Sequence, residues 1–118
     1  MKYLMLIKHS EHYRSEQLPQ ALMEAMGEFV TASFKSGVLK DTAGLKSSAE
    51  GFRVGLSRGK IRVTDGPFSE SKEVVGGYAM AEFASKEEAL TMARDFMDLH
   101  RKHWPSFEGE CEVRPLED

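Results

Sequence analysis

The sequence predicts an α+β domain, and three observations carry that prediction. The elements run strand, helix, strands, helix, strand; each of the two helices has one apolar stripe; and the first strand is apolar on both faces. With 118 residues the chain fits one domain, residues 1–118, because a single core usually occupies roughly 100 to 150 residues.

Residues 3 to 7 place Tyr3, Met5 and Ile7 on one face and Leu4 and Leu6 on the other, as a central strand covered on both sides requires. From Pro19 to Ser36 the positions Leu22, Met26, Phe29, Val30 and Ser33 recur at spacings of three and four. Pro19 lies near the start and Gly37 just past the end, so the spacing predicts an amphipathic helix. Val38 and Leu39 begin a short extended segment broken by Gly44. Phe52, Val54 and Leu56 then alternate with polar or small residues, as do Ile61 and Val63 after Arg58-Gly59, which predicts a β-hairpin with one packed and one polar face. Gly76-Gly77 opens another strand, Tyr78 to Phe83. Ser85 and Glu88 form a capping box for a second helix reaching about His103, with Ala89, Ala93, Phe96, Met97 and His100 on its apolar side. Trp104-Pro105 ends it, and Cys111 and Val113 mark a last strand. This order matches the split β-α-β pattern of ferredoxin-like folds with an extra hairpin. Both helices then cover one sheet face, and a second copy of the sheet is the simplest cover for the other, which predicts a homodimer.

Sixteen basic and nineteen acidic residues give a net charge of -3, without the broad positive field that nucleic-acid binding needs. The single cysteine, Cys111, allows no intrachain disulfide and points to a reducing, cytoplasmic setting. The apolar run at the N-terminus is too short for a signal-peptide core or a membrane span, so no membrane partner is expected.

The most distinctive stretch runs Thr64-Asp65-Gly66-Pro67-Phe68-Ser69-Glu70-Ser71-Lys72-Glu73. Asp65 reads either as a turn-capping carboxylate or as a base or ligand contact. Glu70, Lys72 and Glu73 read as a solvated charged loop or as ligand contacts. Of the four histidines, His9 and His12 follow the first strand as exposed residues, in a position that also suits an acid/base imidazole beside a cleft. His100 and His103 have a spacing that could share a metal, but Arg101 and Lys102 fill the gap and a third ligand is missing, so no metal is expected. Lys8 either snorkels to solvent or faces a polar cleft and binds an anionic ligand. Cys111 reads as a small core residue and Trp104 as a packing anchor. With no Gly-rich phosphate loop, nucleophile elbow or Cys-x-x-Cys pair, no cofactor is implied.

The run Asp65-Gly66-Pro67-Phe68, followed by Glu70, Lys72-Glu73 and Gly76-Gly77-Tyr78, resembles the YCII-related family, in the branch named for its Asp-Gly-Pro-Phe (DGPF) motif. The likeness extends over Met1-Lys2-Tyr3 to Lys8, Gly37-Val38-Leu39, Gly44-Leu45, Lys86-Glu87-Glu88-Ala89 and Glu112-Val113-Arg114. It implies a dimer of the α/β-barrel type. Some similar proteins are enzymes, including a dehydrochlorinase of chlorinated hydroxyquinols, and others are encoded near alternative sigma factors, which implies an accessory or regulatory role. A His-Asp pair proposed for the shorter branch needs a histidine on the first helix; residues 17 to 36 contain none, so only Asp65, Phe68, Glu70, Lys72 and Glu73 carry over.

Two functions remain open. One is a small-molecule enzyme of proton-transfer or elimination chemistry, with Asp65 as base and Lys8 or a histidine such as His9 steadying negative charge. The other is a non-catalytic dimer that binds a metabolite or a regulatory protein. Convergence of Asp65, Glu70, Lys8 and His9 on one pocket would favour the first.

Overall fold

The computed structural model describes residues 1–10, 17–68 and 74–117. Strand β1 (Lys2–His9) leads to helix α1 (Gln20–Lys35) and strand β2 (Leu39–Gly44). A short 3-10 turn (Ser48–Glu50) precedes the hairpin β3 (Phe52–Ser57) and β4 (Lys60–Asp65). Strand β5 (Val74–Glu82), helix α2 (Lys86–His103) and strand β6 (Gly109–Pro115) follow. Four strands form one antiparallel sheet in the order β2-β5-β1-β6, and β3 and β4 form a sheet of their own.

The helix ends form where the sequence places them. The carbonyl of Pro19 accepts from the amides of Leu22 and Met23, each at 3.1 Å, and Gly37 takes φ +83° just past Ser36. At α2, the Ser85 hydroxyl accepts from the Glu88 amide at 3.3 Å, while the Glu88 carboxylate reaches back to the amide of Ala84 at 2.9 Å. The reciprocal bond thus goes one residue before the cap. At the far end of α2, Asp98 pairs with Arg101 and, at 3.2 Å, with Lys102.

Strand alternation sets the two faces of the large sheet. Tyr3, Met5, Ile7 and His9 face the helices, with Ala81, Ala79 and Gly77 beside them on β5 and Val113 and Cys111 on β6. At the Tyr3 end the layers meet in a dry core of Tyr3, Met5, Leu39, Ala81, Phe83, Ala89 and Ala93, with Tyr3 and Phe83 edge to face at 6.0 Å. The opposite face of β1 holds Leu4, Leu6 and Lys8, with Met80 and Tyr78 beside the two leucines on β5, and neither described α-helix lies on it.

Three expectations need correction. His9 is buried, only 7% exposed, because β1 runs two residues further than its apolar core and directs the imidazole under the helices. Strand β5 starts at Val74, so Gly76-Gly77 lies inside the strand, where the register with β1 shifts between Ile7 and Lys8. The hairpin forms as expected but packs neither face: Phe52, Val54, Leu56, Ile61 and Val63 are all exposed.

Candidate functional site

Beyond this apolar core, the helices and sheet line a partly open cavity of about 460 Å³ towards the other end of β1. Its walls are apolar, including Met26, Phe29 and Val30 from α1, Met92 and Phe96 from α2, and Ile7 from β1. Two imidazoles, His9 and His100, also line it, together with Thr42, Trp104, Phe107 and Cys111. Among the described residues lining it there is no Asp, Glu, Lys or Arg.

Backbone carbonyls fix both rings. His9 Nδ1 lies 2.7 Å from the carbonyl of Ser10, and His100 Nδ1 lies 3.0 Å from the carbonyl of Phe96. A carbonyl only accepts, so in each neutral ring the proton sits on Nδ1 and Nε2 is the basic nitrogen. Aromatic contacts hold the rings in place: Phe107 meets His9 at 6.1 Å and His100 at 4.8 Å, and Phe96 meets His100 at 5.0 Å. Trp104 closes this cluster against Phe107 at 5.3 Å.

Gly76 makes room for His9. A Cβ at this position would lie 2.0 Å from His9 Nε2, so the imidazole rests directly on bare backbone. Burial holds the His100 pKa below its ordinary value; the Phe96 carbonyl opposes this, and the nearby His9 adds to it. His100 is therefore a neutral base near pH 7. Burial pushes the Cys111 thiol the other way, up to about 11, so it is no ready nucleophile. The Thr42 hydroxyl donates to the carbonyl of Tyr78 at 2.8 Å.

The other residues singled out by sequence lie elsewhere. Lys8 is on the helix-free face, where its ammonium meets the Glu112 carboxylate at 2.7 Å and holds that carboxyl below the usual range. Asp65 is exposed at the root of the hairpin, opposite Phe52. The turn that follows it is tied to the 3-10 segment. The Gly66 amide donates to the Gly51 carbonyl at 2.9 Å, the Phe68 amide donates to the Ser48 hydroxyl at 3.1 Å, and Gly66–Pro67 is cis. A Cβ on Gly66 would fall 1.7 Å from the Ser48 carbonyl oxygen, so only glycine permits this approach. The Phe68 ring lies 3.8 Å beneath the Arg53 guanidinium. None of Lys8, Asp65 and Phe68 lines the cavity. Glu70, Lys72, Glu73 and His12 lie outside the described residues.

The second imidazole went unassigned in the sequence. Its signal was His100 four residues after Phe96 on the apolar stripe of α2, a polar ring where the helix faces inward. The closing of Phe107 over both histidines had no periodic signature, because it sits in the loop before β6.

A family model for the YCII-related domain matches residues 1–97. The chain belongs to that family. This YCII-related chain is also 32% identical over 102 residues to an uncharacterized protein of Rhizobium meliloti (strain 1021), a match spanning 86% of this chain and 78% of that one. Among the described residues, no group of three or more His, Cys, Asp or Glu could hold a metal ion, and no helix is long and apolar enough to cross a membrane.

Proposed function

We propose that this YCII-related protein is a small-molecule enzyme of the DGPF branch that works as a cytoplasmic homodimer. It performs proton transfer or elimination, without a bound redox cofactor, on a compact and largely apolar molecule. The strand order β2-β5-β1-β6 with both helices on one face supports a ferredoxin-like fold, and the helix-free face supports pairing of two sheets as in dimeric α/β barrels. The observation that carries the catalytic reading is the pair of buried imidazoles, His9 and His100, each proton-fixed on Nδ1 and lining one apolar cavity. Buried polar rings are costly without a purpose, and a neutral imidazole is the common general base near pH 7. In this reading His9 takes the proton and His100 supports it. Lys8, Asp65 and Phe68 take no direct part within one chain.

The cavity's lack of charged side chains favours a second reading, a metabolite-binding or regulatory dimer, including one tied to sigma-factor control, because binding an apolar ligand needs no such groups. One experiment separates the two. A library of small aromatic and alicyclic molecules is screened by thermal shift, and each binder is followed by NMR for deuterium uptake from solvent. An enzyme exchanges a ligand proton, and His9→Gln keeps the thermal shift while slowing exchange by about 10²–10⁴-fold. Binders that never exchange, or exchange unchanged in His9→Gln, would refute the catalytic reading.

A further inference from the structure

Strands β3 and β4 form an arm. Their register sets Phe52, Val54 and Leu56 opposite Asp65, Val63 and Ile61, so one face is a continuous apolar stripe with a carboxylate at its root. The five apolar side chains are 60% to 75% exposed. The other face holds Arg53, Lys60, Arg62 and small or hydroxyl residues. Neither strand pairs with the large sheet, and an isolated two-stranded hairpin is marginal in water. The radius of gyration is 15.8 Å, against about 13.5 Å for a compact chain of this length.

We infer that the apolar face of this arm docks on a second copy of the chain, whose own arm docks in return. The inference rests on the sheet-paired dimer proposed above and extends its interface. Charge favours this occupant. Between Phe52 and Thr64 the arm has four basic residues and no acidic one, while the rest of the chain holds twelve basic and all nineteen acidic residues. A cationic arm is therefore drawn to the anionic body of another copy. Area points the same way. Five apolar residues 60% to 75% exposed offer roughly 600 Å², still short of the ~800 Å² per partner of a stable interface. The arm alone would hold a separate protein weakly. Added to the helix-free face of Leu4, Leu6, Tyr78 and Met80, it completes a contact between the same two molecules. Asp65 lies on the covered face and so stands at the seam between copies.

The test compares wild type with a Leu56→Glu/Ile61→Lys variant by sedimentation velocity from nanomolar to high micromolar concentration. Both side chains are already mostly exposed in one chain and face each other across the hairpin, so the new opposite charges pair and the variant leaves the monomer's fold intact. Wild type is expected to be a dimer, and the variant's dimer dissociation constant to rise on the order of a hundredfold or more. In a mixture of isotopically light and heavy wild-type copies, carbodiimide coupling of Lys60, the arm's lysine, is expected to join light chains to heavy ones. A dimer equally tight in the variant, or Lys60 links confined to one copy, would overturn the arm's role and leave the sheet-paired dimer standing. A wild-type monomer throughout would overturn both.

Discussion

Replacing Gly76 with alanine tests whether the cavity is built around His9. The new Cβ would stand 2.0 Å from His9 Nε2 and 2.7 Å from Cδ2, far inside van der Waals contact. The backbone there is held by Gly77, paired with Ile7 on β1 and Gly44 on β2, and by the Gly76 carbonyl, which accepts from the Leu45 amide at 2.9 Å. The ring must therefore swing, losing its 2.7 Å bond to the Ser10 carbonyl and its edge contact with Phe107. Overpacking of this kind costs about 1–3 kcal/mol, to which the lost hydrogen bond adds about 1 kcal/mol. Urea unfolding with a slope near 2 kcal/mol per molar would show this as a midpoint lower by about 1–2 M. The decisive measurement is the same substitution in a His9→Ala background, where nothing is left to strike. There Gly76→Ala should cost under about 0.5 kcal/mol or stabilise slightly, because alanine is less free than glycine in the unfolded chain. The coupling between the two sites would then be about 2 kcal/mol or more, as expected for residues in direct contact. An equal cost in both backgrounds would refute the contact and place the strain in the β5 backbone instead.

Stability should fall as pH drops below about 6.5, because burial lowers the His100 pKa in the folded state, so the unfolded chain binds the extra proton first; the fall should flatten in His100→Gln, as monitored by thermal melts across pH. Cys111 should react with thiol reagents far more slowly in the native protein than in urea at pH 8, its thiol being pushed up to about 11 by burial; equal rates would place it at the surface. Asp65→Ala and Asp65→Asn should each change monomer stability by less than about 0.5 kcal/mol, since the carboxylate is exposed and the turn is tied by backbone groups; a loss above 1 kcal/mol in alanine alone would reveal a capping role.

Much of the fold was legible because its signals are local and periodic. The three-and-four spacing of Leu22, Met26, Phe29 and Val30 marks α1, and Ser85 with Glu88 marks the start of α2. Arg58-Gly59 marks the hairpin turn, where both residues have positive φ. What alternation could not tell is whether a packed partner exists. Phe52, Val54 and Leu56 carry the pattern of a half-buried strand, yet none of the described residues buries them, because a period-2 pattern records that a face is apolar and not which molecule covers it.

The site was less legible for a related reason. Asp65, Phe68 and Lys8 draw attention through composition: a charged motif in a turn, a lysine after an apolar strand. The fold gives Phe68 and Lys8 local partners instead, Phe68 lying under Arg53 with its amide on Ser48 and Lys8 meeting Glu112, and it leaves Asp65 exposed opposite Phe52. His9 and His100 are 91 positions apart and meet only because β1 and α2 point the same end of the molecule at Phe107. If the cavity were only loose core, leucine or methionine at both positions would fill it at no cost in hydrogen bonding. Each imidazole instead holds a backbone carbonyl on Nδ1, and a glycine in mid-strand, itself unfavourable there, is retained where His9 needs the space. These two local features, which keep imidazole rings in an apolar cavity, support the catalytic proposal over a plain packing core.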